Sequence, residues 1–172
     1  MEQIQIRKAQ PADVKVCGEM LADSPLGKVY YPTRRMLLDT LEKAVAEDGF
    51  LVAADEADRP VGFIWYQVRG MFHSFPYMHM IVVHNDWQHA GIGRELMHAY
   101  EQDCLRSLGA LRTKAYLLVA DFNDRVFGIY QKNGYEALHR FDGLFRRNVN
   151  EWLMAKVITK QTRPDIGGQN DA

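Results

Sequence analysis

The segment Val83-His84-Asn85-Asp86-Trp87-Gln88-His89-Ala90-Gly91-Ile92-Gly93-Arg94 sets two glycines between an apolar run and the start of a helical pattern. A strand that ends in a glycine loop and enters a helix is suited to bind an anion. The free amides of the first turn point at the ligand, and the helix dipole adds about half a positive charge. Two nucleotide motifs are excluded: a Walker loop needs Gly-Lys-Ser/Thr, which is absent, and a dinucleotide fingerprint needs a third glycine where Leu96 stands. Three further residues could do chemistry nearby. His79 lies on the apolar run before the loop, Asn123 at a second strand-to-helix junction, and Tyr130 seven residues beyond it. Judged alone, His79 is as compatible with a structural place on a half-buried strand, and Tyr130 with a core place that continues the helical spacing of Val126 and Phe127.

These residues need elements to carry them. Ile4 to Ile6 reads as a strand, and Pro11 opens a helix with Val14, Cys17 and Leu21 on one face that stops near Ser24-Pro25. Pro25 to Tyr31 reads as aromatic and irregular. A second helix follows Pro32-Thr33, carries Met36, Leu37, Leu41, Ala44 and Val45 on one face, and ends at Gly49 in the left-handed cap position. Phe50 to Ala54 and Val61 to Val68 form an antiparallel strand pair, and Tyr77 to Val83 adds a strand whose alternation puts Tyr77, His79, Ile81 and Val83 on one face. A helix from Gly93 to Leu108, a strand from Thr113 to Val119, and a helix from Asp124 to Asn133 capped by Asn123 come next. Strands Tyr135 to Phe141 and Trp152 to Ile158 close the series, giving βααβββαβαββ: an α+β fold whose mixed sheet has about seven strands, with four helices.

Length and composition fit one globular unit. The chain has 172 residues, 47% of them hydrophobic, which predicts a domain over 1–160 followed by a polar tail at 161–172. A net charge of −1 without a basic stripe argues against nucleic acid as partner. The two cysteines, Cys17 and Cys104, form no CxxC pair and join no ligand cluster, so neither a disulfide framework nor a metal site is expected. The start has no signal-like region and no window is apolar enough for a membrane span, which together predict a cytoplasmic protein without membrane contact.

Gln88-His89-Ala90-Gly91-Ile92-Gly93 resembles the Q/R-x-x-G-x-G/A loop of the GNAT superfamily of acetyl-coenzyme A dependent N-acetyltransferases. The resemblance continues in Asn123 and in Tyr130-Gln131-Lys132-Asn133-Gly134-Tyr135, similar to that family's N…Y-x-K-x-G-F/Y signature, and in the order of elements. It implies a GNAT-like, largely antiparallel sheet with acetyl-coenzyme A as co-substrate and no metal. The backbone of Ile81, Val82 and Val83 would pair with the pantetheine arm. Gln88, His89, Ala90, Gly91, Ile92, Gly93 and Arg94 would hold the pyrophosphate, and Asn123 would touch the coenzyme. Tyr130 would face the sulfur as general acid. A phenol with pKa near 10 can protonate a departing thiolate whose conjugate acid lies near 8.5. His79 resembles a histidine that takes the amine proton in one branch of the superfamily, where other branches use a glutamate at the position of Tyr77.

In the resembling family the acceptor pocket forms from the first helix pair and the loop between the last two strands. Here those parts offer Tyr30, Tyr31 and Phe145, with Phe72 and Phe75 as further wall, and aromatic faces suit an organic cation. The expected activity is transfer of acetyl to a primary amine of a small molecule by direct attack in a ternary complex. Acetylation of a protein N-terminus or lysine, or an acyl-coenzyme A sensor without turnover, are the alternatives. Dimers are common among similar proteins.

Overall fold

The computed structural model describes residues 3–161, so the expected tail beyond Gln161 lies outside the described residues. Strands β1 (Gln5–Lys8), β2 (Gly49–Ala54), β3 (Pro60–Met71), β4 (Phe75–Val83), β5 (Arg112–Ala120), β6 (Glu136–Asp142) and β7 (Asn150–Thr159) form one sheet in the order β1-β2-β3-β4-β5-β7-β6. All neighbours are antiparallel except β4 and β5. The helices are α1 (Val14–Asp23), α2 (Pro25–Tyr30), α3 (Arg34–Glu47), α4 (Ile92–Leu108) and α5 (Asp124–Lys132).

Helices lie on both faces because both faces are apolar. Cys17 and Leu21 of α1 and Leu37 and Leu41 of α3 pack with Phe50, Val52, Phe63, Met80 and Val82 on one face. Leu96, Tyr100 and Leu105 of α4 pack with Ile64, Tyr66, Met78, Leu117 and Met154 on the other. The helical spacing of these residues produces both layers.

Two local expectations are corrected. Pro25 to Tyr30 is a helix, making five α-helices among the described residues, because Ser24 stops α1 and also starts α2: its hydroxyl accepts the Gly27 N–H at 3.1 Å, and Pro25 takes the first helical position. Gly49 is the first residue of β2 and not a left-handed cap, and its lack of a side chain makes room for the Tyr66 ring, 2.2 Å from where a Cβ would stand.

The sheet is irregular where the site forms. Along β3 and β4 the pairing runs Trp65↔Met80 and then Tyr66↔Met78, which leaves His79 as the extra residue of a β-bulge. The bulge breaks the alternation. Met78 lies in the α4-side core and Met80 in the opposite one, although they are two residues apart. Ile81 and Val83 pack toward α4, whereas His79 stacks on Trp65, which packs toward α1 and α3, so the expected common face of His79, Ile81 and Val83 does not form. β4 and β5 pair only at Tyr77↔Tyr116 and Met78↔Leu117 and then separate. Beyond Met78, the β5-facing edge of β4 has no strand partner among the described residues.

Candidate active site

The glycine loop fills the step from β4 to α4. A short 3₁₀ turn, Asn85–Trp87, leads into it, and the Gln88 amide nitrogen donates to Asn85 Oδ1 at 3.0 Å and to Val83 O at 3.4 Å, which braces the turn from within. Gly91 caps α4 at φ +84°, a conformation that side chains disfavour. The first helical bond is Glu95 N–H to Gly91 O at 3.1 Å, and the amides from His89 to Arg94 have no acceptor among the described residues. Six amides without acceptors at a helix start fit a pyrophosphate. Gly93 lies in ordinary helical backbone, and a Cβ there would meet only Ile81 Cδ1 and Val83 Cγ2, both at 3.9 Å. Its missing side chain therefore leaves space between α4 and β4. Arg94 folds over the loop, with Nη2 3.8 Å from a Cβ built on Gly91, and Arg125 of α5 reaches His89 Nε2 at 2.9 Å.

On the other side of the sheet, the gap between β4 and β5 opens into a cavity of about 370 Å³. Tyr30, Tyr31, Trp65, Tyr77, Phe145 and Glu151 are among its walls, and His79 lies in it. The His79 ring stacks on Trp65 at 4.2 Å and meets Tyr77 edge-on at 4.7 Å. Trp65 is itself fixed, because its indole N–H donates to Asp48 Oδ2 at 2.8 Å. The Nε2 atom of His79 is buried with no partner. Burial pushes the pKa of His79 below the ordinary histidine value, and the charge of Asp48 opposes this only in part. A neutral imidazole with a free nitrogen in a cavity can accept a proton.

Tyr130 is on the glycine-loop side. It is 6% exposed, lies in the α4-side core edge-on to Tyr135 at 5.9 Å, and makes no hydrogen bond among the described residues. Burial, with Tyr77 adding, raises its pKa above the ordinary value of 10. Tyr77 stands between the two sides, and burial together with the charge of Glu151 pushes its phenol up to about 12.

The expected residues are thus divided. Tyr30, Tyr31 and Phe145 line the cavity with His79, whereas Phe72 is 72% exposed in the β3–β4 turn and Phe75 packs on Tyr116 at 5.7 Å, so these two are not in the wall. Asn123 precedes α5 without a side-chain capping bond, so its amide is free for another partner. Cys17 and Cys104 are buried away from the cavity, and burial pushes the Cys17 thiol up to about 12. Trp65, Arg125 and Glu151 were not singled out from the sequence. Arg125 stands two residues after Asn123, a signal that could have found it; Trp65 and Glu151 carry no local signal, since only strand pairing brings them here. No group of three or more metal-type side chains forms among the described residues, and no helix is long and apolar enough to cross a membrane.

Residues 46–137, more than half of the chain, match the family model described as an acetyltransferase (GNAT) domain. That stretch contains the bulge, the loop, Asn123 and Tyr130. No curated protein matches the sequence significantly. Among solved structures, Ard1 from Thermoplasma volcanium superposes with a TM-score of 0.74 at 23% identity, covering 91% of this chain and 99% of that one. A mutant of the spermidine N-acetyltransferase SpeG from Vibrio cholerae gives 0.69 at 17% identity, covering 90% and 94%. Naa20 from Chaetomium thermophilum, in complex with a bisubstrate analogue, gives 0.70 at 18% identity, covering 90% and 86%. These three likenesses show the shared fold. The family model, which spans the glycine loop and the strands β4 and β5 that separate beside it, shows that this acyltransferase belongs to the GNAT family.

Proposed function

We propose that the protein transfers acetyl from acetyl-coenzyme A to a primary amine of a small molecule by direct attack. The observation that carries this reading is the sheet split. It lies between the loop of open amides on one face of the sheet and the cavity lined by His79, with its orphaned nitrogen, on the other. The coenzyme supplies the activated thioester, and its phosphates would rest on the amides of His89 to Arg94, with Arg94 and Arg125 adding charge. The acceptor enters from the cavity, and His79 Nε2 takes its ammonium proton. The amine nitrogen then bonds to the carbonyl carbon, the carbon–sulfur bond breaks as Tyr130 gives its proton to the sulfur, the second proton leaves the new amide nitrogen and restores the Tyr130 phenol, and His79 returns its proton to solvent. Neither buried cysteine lies in the cavity, which supports transfer without an acetyl-enzyme step.

Calorimetric titration tests the coenzyme site. Acetyl-coenzyme A should bind the wild type, and Gly93→Leu should weaken binding by about 100-fold or more, the loss of one or two charge-assisted hydrogen bonds. Leucine is a better helix former than glycine, so the fold should survive. Unchanged affinity in the folded variant overturns the site. Release of free coenzyme A with a panel of primary amines tests the reaction, and a folded protein that releases none with any amine overturns it.

A further inference from the structure

We infer that Glu151 is the residue that selects a positively charged acceptor, so that the substrate class is the primary alkylammonium ion. This rests on the reading of the cavity as the acceptor site. Glu151 is the second residue of β7, is 2% exposed, and lines the cavity. Tyr30 donates its hydroxyl to Oε1 at 2.8 Å, whereas Oε2 is buried with no partner.

A carboxylate removed from water is costly unless a cation or several donors meet it. None of the described cations does so. Arg146 lines the same cavity, but its guanidinium donates to the carbonyl oxygens of Tyr30 at 3.2 Å and Phe145 at 3.0 Å and makes no salt bridge with Glu151. The one bond Glu151 does have fixes it in place, since the Tyr30 ring is held in turn by Phe122 at 6.1 Å and Phe145 at 6.2 Å. Two of the cavity's wall residues thus each carry a buried polar atom without a partner, Oε2 of Glu151 and Nε2 of His79. Both can only accept a proton or a hydrogen bond from a ligand, apart from the tautomer in which Nε2 carries hydrogen. An alkylammonium has three donors and a charge, and the aromatic walls suit the methylene groups behind it. A neutral alcohol of the same length offers one donor and no charge.

The test compares hexylamine with hexan-1-ol. Calorimetry on protein saturated with coenzyme A, which has no acetyl to give, should show the amine binding the wild type about 10- to 100-fold more tightly, the range of charge-assisted hydrogen bonds. Glu151→Gln should erase that preference, while Glu151→Asp, which keeps the charge, should retain part of it. In turnover, Glu151→Gln should raise KM for hexylamine by the same factor with little change in kcat. A purely structural carboxylate would instead lower Tm and leave the preference intact. That result, or equal binding of amine and alcohol to the wild type, overturns the inference, and the wild-type arm decides even where the glutamine variant does not fold. A peptide with a free N-terminal ammonium forms a second arm; if it alone shows the Glu151-dependent preference, the ammonium site stands and its source is a polypeptide. A Glu151-dependent preference without coenzyme A release from any amine separates failure of the proposed reaction from failure of this site.

Discussion

Tyr130→Phe should lower kcat by about 10²- to 10⁴-fold, the usual contribution of a positioned acid, and leave coenzyme affinity and Tm nearly unchanged. The hydroxyl makes no hydrogen bond among the described residues, so removing it breaks no structural bond, and the ring stays packed on Tyr135. Burial raises the phenol pKa above 10, which keeps it protonated through the neutral and alkaline range. The same burial makes it a weaker acid than a free phenol. The departing thiolate, however, forms in that same poorly solvated place, and desolvation raises the pKa of both groups together. The transfer thus stays close to balance. The wild type should show no alkaline fall in kcat from Tyr130 below about pH 10, because its folded pKa lies above the reference value. Thermal unfolding and kcat measured on one preparation decide the matter: full activity in the phenylalanine variant removes the catalytic role, and a stability loss with normal turnover assigns Tyr130 to the core alone.

His79→Gln should reduce kcat/KM at pH 7 by a comparable factor, about 10²-fold or more. The direction of its pKa shift sets the shape of the profile. Burial lowers the folded pKa, so the imidazole is neutral at pH 7 and takes up a proton only at lower pH than an ordinary histidine. Wild-type kcat/KM should accordingly fall on the acid side with a midpoint below about 6.5. The deficit of the variant should be largest near neutrality and shrink as the pH approaches the amine's own pKa, about 10.4 for an alkylamine, because free amine then needs no base. Glutamine retains a flat polar group against Trp65, which limits the change in packing. A profile that keeps the wild-type height and shape shows that solvent or another group takes the proton.

The site was legible only where its function is local. An anion loop needs a strand end, glycines and a helix start within a dozen residues, and all three stand together from Val83 to Arg94. Asn123 and Tyr130 fall on one short helix for the same reason. The cavity is different. Its walls come from α2, α3, β3, β4, β5, the β6–β7 loop and β7, and residues such as Tyr30 and Glu151 are 121 positions apart although their side chains share a hydrogen bond. Glu151 was missed because a single acidic residue at a strand start resembles any solvated one until pairing with Ala120 and Phe141 on both sides buries it. Phe72 was misjudged in the opposite direction, since a turn with positive φ at Phe72 and His73 holds the aromatic ring in solvent.

By itself the sequence determined most of the elements, their order and the glycine loop, because hydrophobic period, caps and glycine positions are short-range properties of the chain. Ser24-Pro25 shows the limit of such signals: the same pair ends one helix and begins the next, and the turn between them brings Gly27 against the carbonyl of Leu21, 1.9 Å from where a Cβ would stand. Tertiary structure alone decided three things. It set the bulge that turns His79 away from Ile81 and Val83, the divergence of β4 and β5 after two residue pairs, and the burial of Glu151 beside the cavity. Each depends on the register between strands distant in sequence. A shift of one residue in that register reverses which face a side chain occupies, and no local pattern contains that information.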